Sequence, residues 1–442
     1  MFAAQVDVRV RHELLTTLHE ARAQTDKLFA VVKPDSLYER PIPERHRMVF
    51  YIGHLEAFDW NLLRGAIPDL HSFHSEFDQL FAFGIDPVGG GLPTDQPGDW
   101  PSLAEVRRYN TRIRDVLDAA LERPSFWRSA CYGFAGGTLM HVAIEHRLMH
   151  AETLAYMFHQ LPLERKIRQG NTPAHNTHPL ELGMVDVPAG AATLGLSRDS
   201  EPFGWDNEYN AHNVNVPAFA IDRYKTTNGQ YLGFVNAGGY EDRGLWPQAG
   251  WNWKTGQNIN HPLFWKRRNG RWYYRTMFDE LPLPLDWPVY VSHAEASAYA
   301  RWAGKTLPTE AQWHRAAYGT PGGAERPYPW GSDAPDRAHG YFDFKRWDPT
   351  PVNAFPRAAS AFGVAGLVGN GWEWTQSLFQ PFLGFNPFPF YPGYSANFFD
   401  GQHYVLKGGS TRTAACMLRR SFRNWFQPHY PYVYAGFRCV AE

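Results

Sequence analysis

Between residues 8 and 32 the apolar side chains Val10, Leu14, Leu15, Leu18 and Ala21 recur at helical spacing, which predicts an amphipathic helix. A second apolar run starts near Arg45 and carries Gly53 and His54; its glycine allows a neighbouring element to come close. Residues 84–101 are rich in Gly, Pro and Asp and read as a loop. Ser102 followed by Glu105 fits a capping box that opens a third helix, running through Leu121. A fourth helix is predicted over 138–160, a long run without Pro or Gly. Four helices within about 165 residues imply an up-and-down bundle, and bundle cores commonly house metal sites built from facing helices.

The pattern then changes. Residues 166–182 are polar and unpatterned and read as a linker between domains 1–165 and 183–442. From Met184 short strands and turns follow one another, interrupted by a helix over 292–303 that Ser292 can cap, with Ala294, Ala298 and Trp302 four apart. Pro308-Thr-Glu-Ala-Gln-Trp opens another helix. There are no repeats and no low-complexity segment. The fold class is therefore α+β, with a helical domain first and a loop-rich strand domain second.

Composition narrows the function. The net charge of -1 gives no electrostatic case for nucleic acid or an anionic membrane as partner. No apolar run approaches the ~18 residues that span a bilayer. Arg and Glu interrupt the place where a signal peptide would have its apolar core. Cys131, Cys416 and Cys439 are odd in number and scattered, which argues against a disulfide framework and fits a reducing cytoplasm. Aromatic residues make up 16% of the chain, with 17 Trp, so many rings must be buried in the second domain.

The candidate chemistry lies on the fourth helix. His146 and His150 are four apart and project from one face, where two imidazoles can share a metal ion. Glu152 lies about 200° around the helix from His150 and is a poor third ligand, so the third must come from elsewhere. A chance or packing pair remains the competing reading, and a lone His54 in an apolar run is more often a satisfied core residue. His141, His159, His403 and His429 read as packing or surface residues.

Seven pieces in order resemble the formylglycine-generating-enzyme/sulfatase-modifying-factor domain, a modified C-type-lectin-like fold. They are Gly183-Met-Val-Asp-Val-Pro-Ala-Gly, Pro288-Val-Tyr-Val-Ser-His-Ala-Glu-Ala, Gly304-Lys-Thr-Leu-Pro-Thr-Glu-Ala-Gln-Trp, Tyr328-Pro-Trp-Gly, Gly369-Asn-Gly-Trp-Glu-Trp-Thr, Val405-Leu-Lys-Gly-Gly-Ser and Ala435-Gly-Phe-Arg. The first half resembles a DinB-type four-helix bundle through Gly53-His54 and His146-x3-His150-x-Glu152. Together they resemble the ergothioneine sulfoxide synthases and their relatives, mononuclear non-haem iron enzymes. The resemblance implies Fe(II) on His54, His146 and His150, with O2 as co-substrate. It implies that the sulfur or selenium of a donor is joined to C2 of the imidazole of hercynine. The two cysteines of the formylglycine-generating enzymes would fall at Thr413 and Leu418, so that chemistry is not expected, and Cys416 is expected to be a buried small residue.

The same resemblance assigns the catalytic tyrosine to Tyr391 and the trimethylammonium pocket to Asn424-Trp425. Phe426, Tyr430, Tyr394 and Met149 are further substrate-lining candidates. It allows a structural Ca2+ near Asn370. This chain also departs from the family. Arg147-Leu-Met149 replaces the Glu-Gln-Gln insert, and Phe426 and Tyr430 stand where the γ-glutamylcysteine-using branch has an Asp and an Arg. Without acid and base groups to clamp an amino-acid donor, a 1-seleno-sugar is favoured. The run from Pro43 to Trp60 also looks like the selenoneine synthase branch. Two alternatives stand beside it: an ergothioneine or ovothiol sulfoxide synthase using cysteine or γ-glutamylcysteine, and a non-catalytic lectin-like binding protein. A zinc thiol transferase is a minor further reading, which would leave the second domain without a role. Oligomeric state is not readable.

Overall fold

The computed structural model describes residues 8–441 other than 68, 83–91, 129, 132–133, 171–179, 199 and 201. Parts of the predicted loop over 84–101 and of the predicted linker over 166–182 lie outside the described residues. The chain divides into two compact units, Met1–Gln169 and Gly170–Glu442.

The first unit is helical: α1 Val8–Phe29, α2 Met48–Leu63, α3 Ser75–Leu80, α4 Leu103–Leu121, α5 Pro124–Arg128 and α6 Gly136–Gln160. In α6 nearly every side chain is buried, which is why its sequence has no polar face. α1 and α2 pack on α6, and α4 packs on α2. Val10 is 42% exposed, so the buried stripe of α1 begins at Leu14 and continues through Leu15, Leu18 and Ala21 to Leu28. The chain leaves that helix at Phe29, and Val32 then bridges to Lys166 at the far end of the unit. Residues 45–47 precede α2, with Arg47 at its N-cap. The Ser102–Glu105 capping box closes as predicted: the Glu105 carboxylate accepts from the Ser102 N–H at 3.0 Å.

The second unit is built from small sheets. Its four-stranded sheet has the order Asn424–Phe426, Tyr404–Lys407, Trp372–Leu378, Ala435–Gly436, antiparallel except for the last pair. Among the described residues four helices lie beside the sheets: α7 Asn228–Asn236, α8 Gln248–Gly256, α9 His293–Trp302 and α10 Glu310–Tyr318. α7, α9 and α10 open on capping boxes from Thr227, Ser292 and Thr309. Trp302, expected on the buried face of α9 with Ala294 and Ala298, is 41% exposed while both alanines are buried. At the centre, the buried Glu373 accepts from Arg438 (2.7 Å), from Lys225 (2.9 Å) and from the Trp313 indole (2.8 Å). A carboxylate is tolerated there because three donors replace the water it gave up.

Candidate metal centre and substrate residues

α2 supplies His54, and α6 supplies His146 and His150 from successive turns. His150 Nε2 lies 3.2 Å from His54 Nε2 and 3.2 Å from His146 Nε2. All three rings are buried. Among the described residues this trio is the grouping of His, Cys, Asp and Glu that could hold a metal ion. Nitrogens 3.2 Å apart subtend about 100° at an ion ~2.1 Å from each, an ordinary angle for adjacent ligands.

Protonation fits the same purpose. Burial lowers the His54 pKa to about 4, and burial with the neighbouring imidazoles holds His146 and His150 well below the usual range. A neutral ring carries one bare nitrogen whose lone pair can be offered to the shared point, which a protonated ring cannot do. The tautomer of His54 is set by its other nitrogen, which donates to the Phe81 carbonyl at 2.7 Å. Gly53 makes that bond reachable: a Cβ there would sit 2.6 Å from carbons of the Phe81 ring. Phe50 stacks on His54 and Phe58 on His146, so the centre has apolar walls. Glu152 is buried but stands apart from the trio, as its angle on the helix dictates.

Sequence reasoning missed what surrounds the ligands. Arg147, fully buried, donates to both oxygens of Glu56 (3.0 and 2.9 Å), to Asp59 (2.6 Å) and to the Leu55 carbonyl (2.9 Å). Glu56 also accepts from Arg114 at 2.6 Å, and Arg22 stands 3.9 Å away. Burial pushes the Glu56 pKa up, but Arg147, Arg114 and Arg22 outweigh it and hold it at about 2. The available signal was two carboxylates inside an otherwise apolar helix.

The other candidates, Met149 excepted, lie in the second unit. Tyr394 stacks on Trp205 with centroids 3.9 Å apart and meets Trp425 edge-on at 5.4 Å. Tyr391 is half-buried, 5.5 Å from Tyr394 and 6.5 Å from Trp205. Trp425 lies flat against Phe379 at 4.2 Å. Asn424 precedes it on the edge strand, and its side-chain oxygen accepts the Trp425 N–H. Phe426 and Tyr430 stack face to face at 5.2 Å with planes 4° apart. The second unit therefore brings Tyr391, Tyr394 and Trp425 into one aromatic cluster. Ser395, next in the chain, donates to the buried Asp206 and accepts from Asn207 at 3.0 Å.

Two expectations change. Cys416 is exposed, because it sits on a one-turn segment whose neighbour Met417 takes the inward place. The Asn370 amide is engaged with the Thr350 backbone through both its oxygen and its nitrogen (2.8 and 2.9 Å), so nothing supports a calcium ion there. His159 is a packing residue, as expected, while His429 stacks on Trp253. Thr413 accepts the Ser410 N–H at 2.8 Å and Leu418 is core, so no thiol occupies the formylglycine-generating positions. No helix among the described residues is long and apolar enough to cross a membrane.

Residues 170–442 match the Sulfatase-modifying factor enzyme 1-like domain, and residues 17–154 match the DinB superfamily. The class is thus a DinB-type bundle joined to an α+β sulfatase-modifying-factor domain. A hercynine oxygenase of Mycolicibacterium thermoresistibile is 36% identical over 98% of this chain and 96% of its own length. Ergothioneine biosynthesis protein 1 of Neurospora crassa is 26% identical over 92% of this chain and 55% of its own. The formylglycine-generating enzyme of Mycobacterium tuberculosis is 31% identical, over 59% of this chain and 97% of its own. The chain belongs to the hercynine oxygenase family and is a non-haem iron oxidoreductase.

Proposed function

We propose that the chain joins the chalcogen of a small-molecule donor to C2 of the hercynine imidazole, using Fe(II) on His54, His146 and His150 and consuming O2. The observation that carries this is the convergence of three neutral, buried imidazole nitrogens within a family named for hercynine oxidation. Bound iron would supply the redox chemistry with O2; three imidazole ligands suit a redox-active divalent ion with open positions. The protein's own groups do the rest. The apolar walls around the ligands exclude water. Aromatic faces such as Trp425 and Tyr394 suit a trimethylammonium group, which offers no hydrogen-bond donor. The Tyr391 hydroxyl would supply a proton or hydrogen atom during oxygen reduction.

A sulfur donor, cysteine or γ-glutamylcysteine, is the reading the relatives support through the name of the Neurospora protein. In that reaction the C2 and thiol hydrogens leave with one oxygen atom as water, and the other oxygen stays on sulfur. A seleno-sugar is the second reading. It rests on the stacked Phe426–Tyr430 pair, which offers no charge to a donor carboxylate or ammonium. The family assignment leaves the non-catalytic binding reading without support.

The test is reconstitution with Fe(II) under anaerobic conditions, followed by hercynine, O2 and the seleno-sugar, cysteine and γ-glutamylcysteine in competition, with products read by mass spectrometry. A sulfoxide adduct as the main product establishes the first donor reading and selenoneine the second. No product with any donor, together with no bound iron, overturns the proposal.

A further inference from the structure

Buried ion pairs are expensive to form and contribute little to net stability, so a fully buried arginine between two carboxylates asks for a purpose beyond stability. Arg147 is 0% exposed, and so is Asp59. The pairs are not scattered. Arg147 follows His146 directly, and its three acceptors on α2 are Leu55, Glu56 and Asp59, which begin at the residue after His54. Glu56 passes the link to Arg114 on α4, Arg114 reaches Asp26 on α1 at 2.7 Å, and Arg22 on α1 returns to Asp118 on α4 at 2.6 Å. One network therefore ties all four long helices together at the level of the histidines.

Apolar packing between α2 and α6 is non-directional and tolerates sliding. The three imidazoles do not: a shift of one helical residue, ~1.5 Å, would spoil a set of nitrogens 3.2 Å apart. Arg147 supplies the directional bonds that packing lacks, and it supplies them from the residue after His146 to residues that begin just after His54. The three-residue insert between the ligand histidines is thereby divided. Arg147 faces the core, Leu148 is buried, and only Met149 keeps part of its surface.

We propose that Arg147 is a positioning residue for the metal centre: its clamp on Leu55, Glu56 and Asp59 fixes the register of α2 against α6 and so sets metal affinity and ligand geometry. The proposal rests on the reading of His54, His146 and His150 as metal ligands.

The experiment uses the full chain, anaerobic titration with Fe(II), and Co(II) as a spectroscopic probe. Two variants are compared with the wild type. Arg147→Lys keeps the charge and loses the planar fork. Asp59→Leu/Arg147→Met removes the Arg147–Asp59 and Arg147–Glu56 pairs and leaves Glu56 with Arg114 and Arg22. Replacing a buried ion pair by apolar groups is often neutral for stability, so the double variant separates positioning from folding. Expected are metal affinities weakened by about tenfold or more in the double variant and by less in Arg147→Lys, with an altered Co(II) d–d spectrum and a preserved thermal midpoint. Wild-type affinity and spectrum in both variants overturn the proposal. If the double variant does not fold, Arg147→Lys decides by the same readings. A wild-type chain that binds neither Fe(II) nor Co(II) refutes the metal reading itself, a result distinct from either outcome above.

Discussion

The ring of Tyr391 lies against Trp205 and Tyr394. Tyr391→Phe removes one oxygen atom and keeps those contacts, so the fold and hercynine binding are expected to survive. If the hydroxyl donates in oxygen reduction, kcat falls by about 100-fold or more. Steady-state turnover beside a binding titration checks this; equal losses in both would place Tyr391 in binding alone. Asp206 permits a different kind of test. It is buried, accepts from the Ser395 hydroxyl, and has Glu208 nearby; burial above all raises its pKa from 3.8 to about 6. A carboxyl raised by folding binds its proton more tightly in the native state. Its contribution is therefore full below about pH 4 and lost as pH rises through about 6, a swing of up to about 3 kcal/mol. Asp206→Asn should remove that fall. Denaturant unfolding of both proteins across this window reads the difference, and parallel pH profiles would exclude the assignment. The comparison must be between the two proteins, because Glu56, Glu325 and Glu373, held low, slope the other way.

Close approach governs the element scale. Gly53→Ala drives a methyl into the Phe81 ring, which must move and take its carbonyl away from His54. Overpacking of this kind costs about 1–3 kcal/mol, and His54 loses the bond that selects its tautomer. Both the unfolding midpoint and Fe(II) affinity should fall; an unchanged affinity would mean that the Phe81 carbonyl does not orient the ligand. Element length decides what shows in the sequence. α1 was legible through its apolar periodicity, α2 as a long apolar run, α4 through its capping box and α6 as a long run without Pro or Gly. α3 and α5, of six and five residues, are too short for a period to register. α7 and α8 are nine residues each and contain glycines, which read as turn. Spacing could pair His146 with His150 but could not reach His54, 96 positions before His150; that came from resemblance. The Phe81 carbonyl had no signature at all, since backbone oxygen is common to every residue. Arg147 read as a gap in a motif because its partners lie on another helix.

At the scale of the whole molecule, the motifs that carry the resemblance prove to be one another's partners. Glu373, Arg438 and Trp313 come from three separate pieces of sequence and meet at one buried carboxylate. The first unit is likewise tied within itself. Its four long helices are joined by the Arg22, Glu56, Arg114 and Arg147 network, and its last residues return to the segment that follows its first helix, where the Ile167 N–H donates to the Val31 carbonyl at 2.7 Å. All three candidate ligands fall within Met1–Gln169, while Tyr391, Asn424 and Trp425 fall within Gly170–Glu442. Metal holding and substrate handling should therefore separate on cutting the chain. A fragment of residues 1–169 is expected to fold as a helical unit and to bind Fe(II) or Co(II) within about tenfold of the full chain, because His54, His146, His150 and the Phe81 carbonyl that orients His54 all lie within it. It should form no hercynine adduct, since it lacks Tyr391 and the aromatic cluster. Circular dichroism, metal titration and product analysis on the fragment read the three properties independently. A helical fragment that fails to bind metal would show that ligand geometry depends on the second unit, and turnover by the fragment would remove Tyr391 from the reaction.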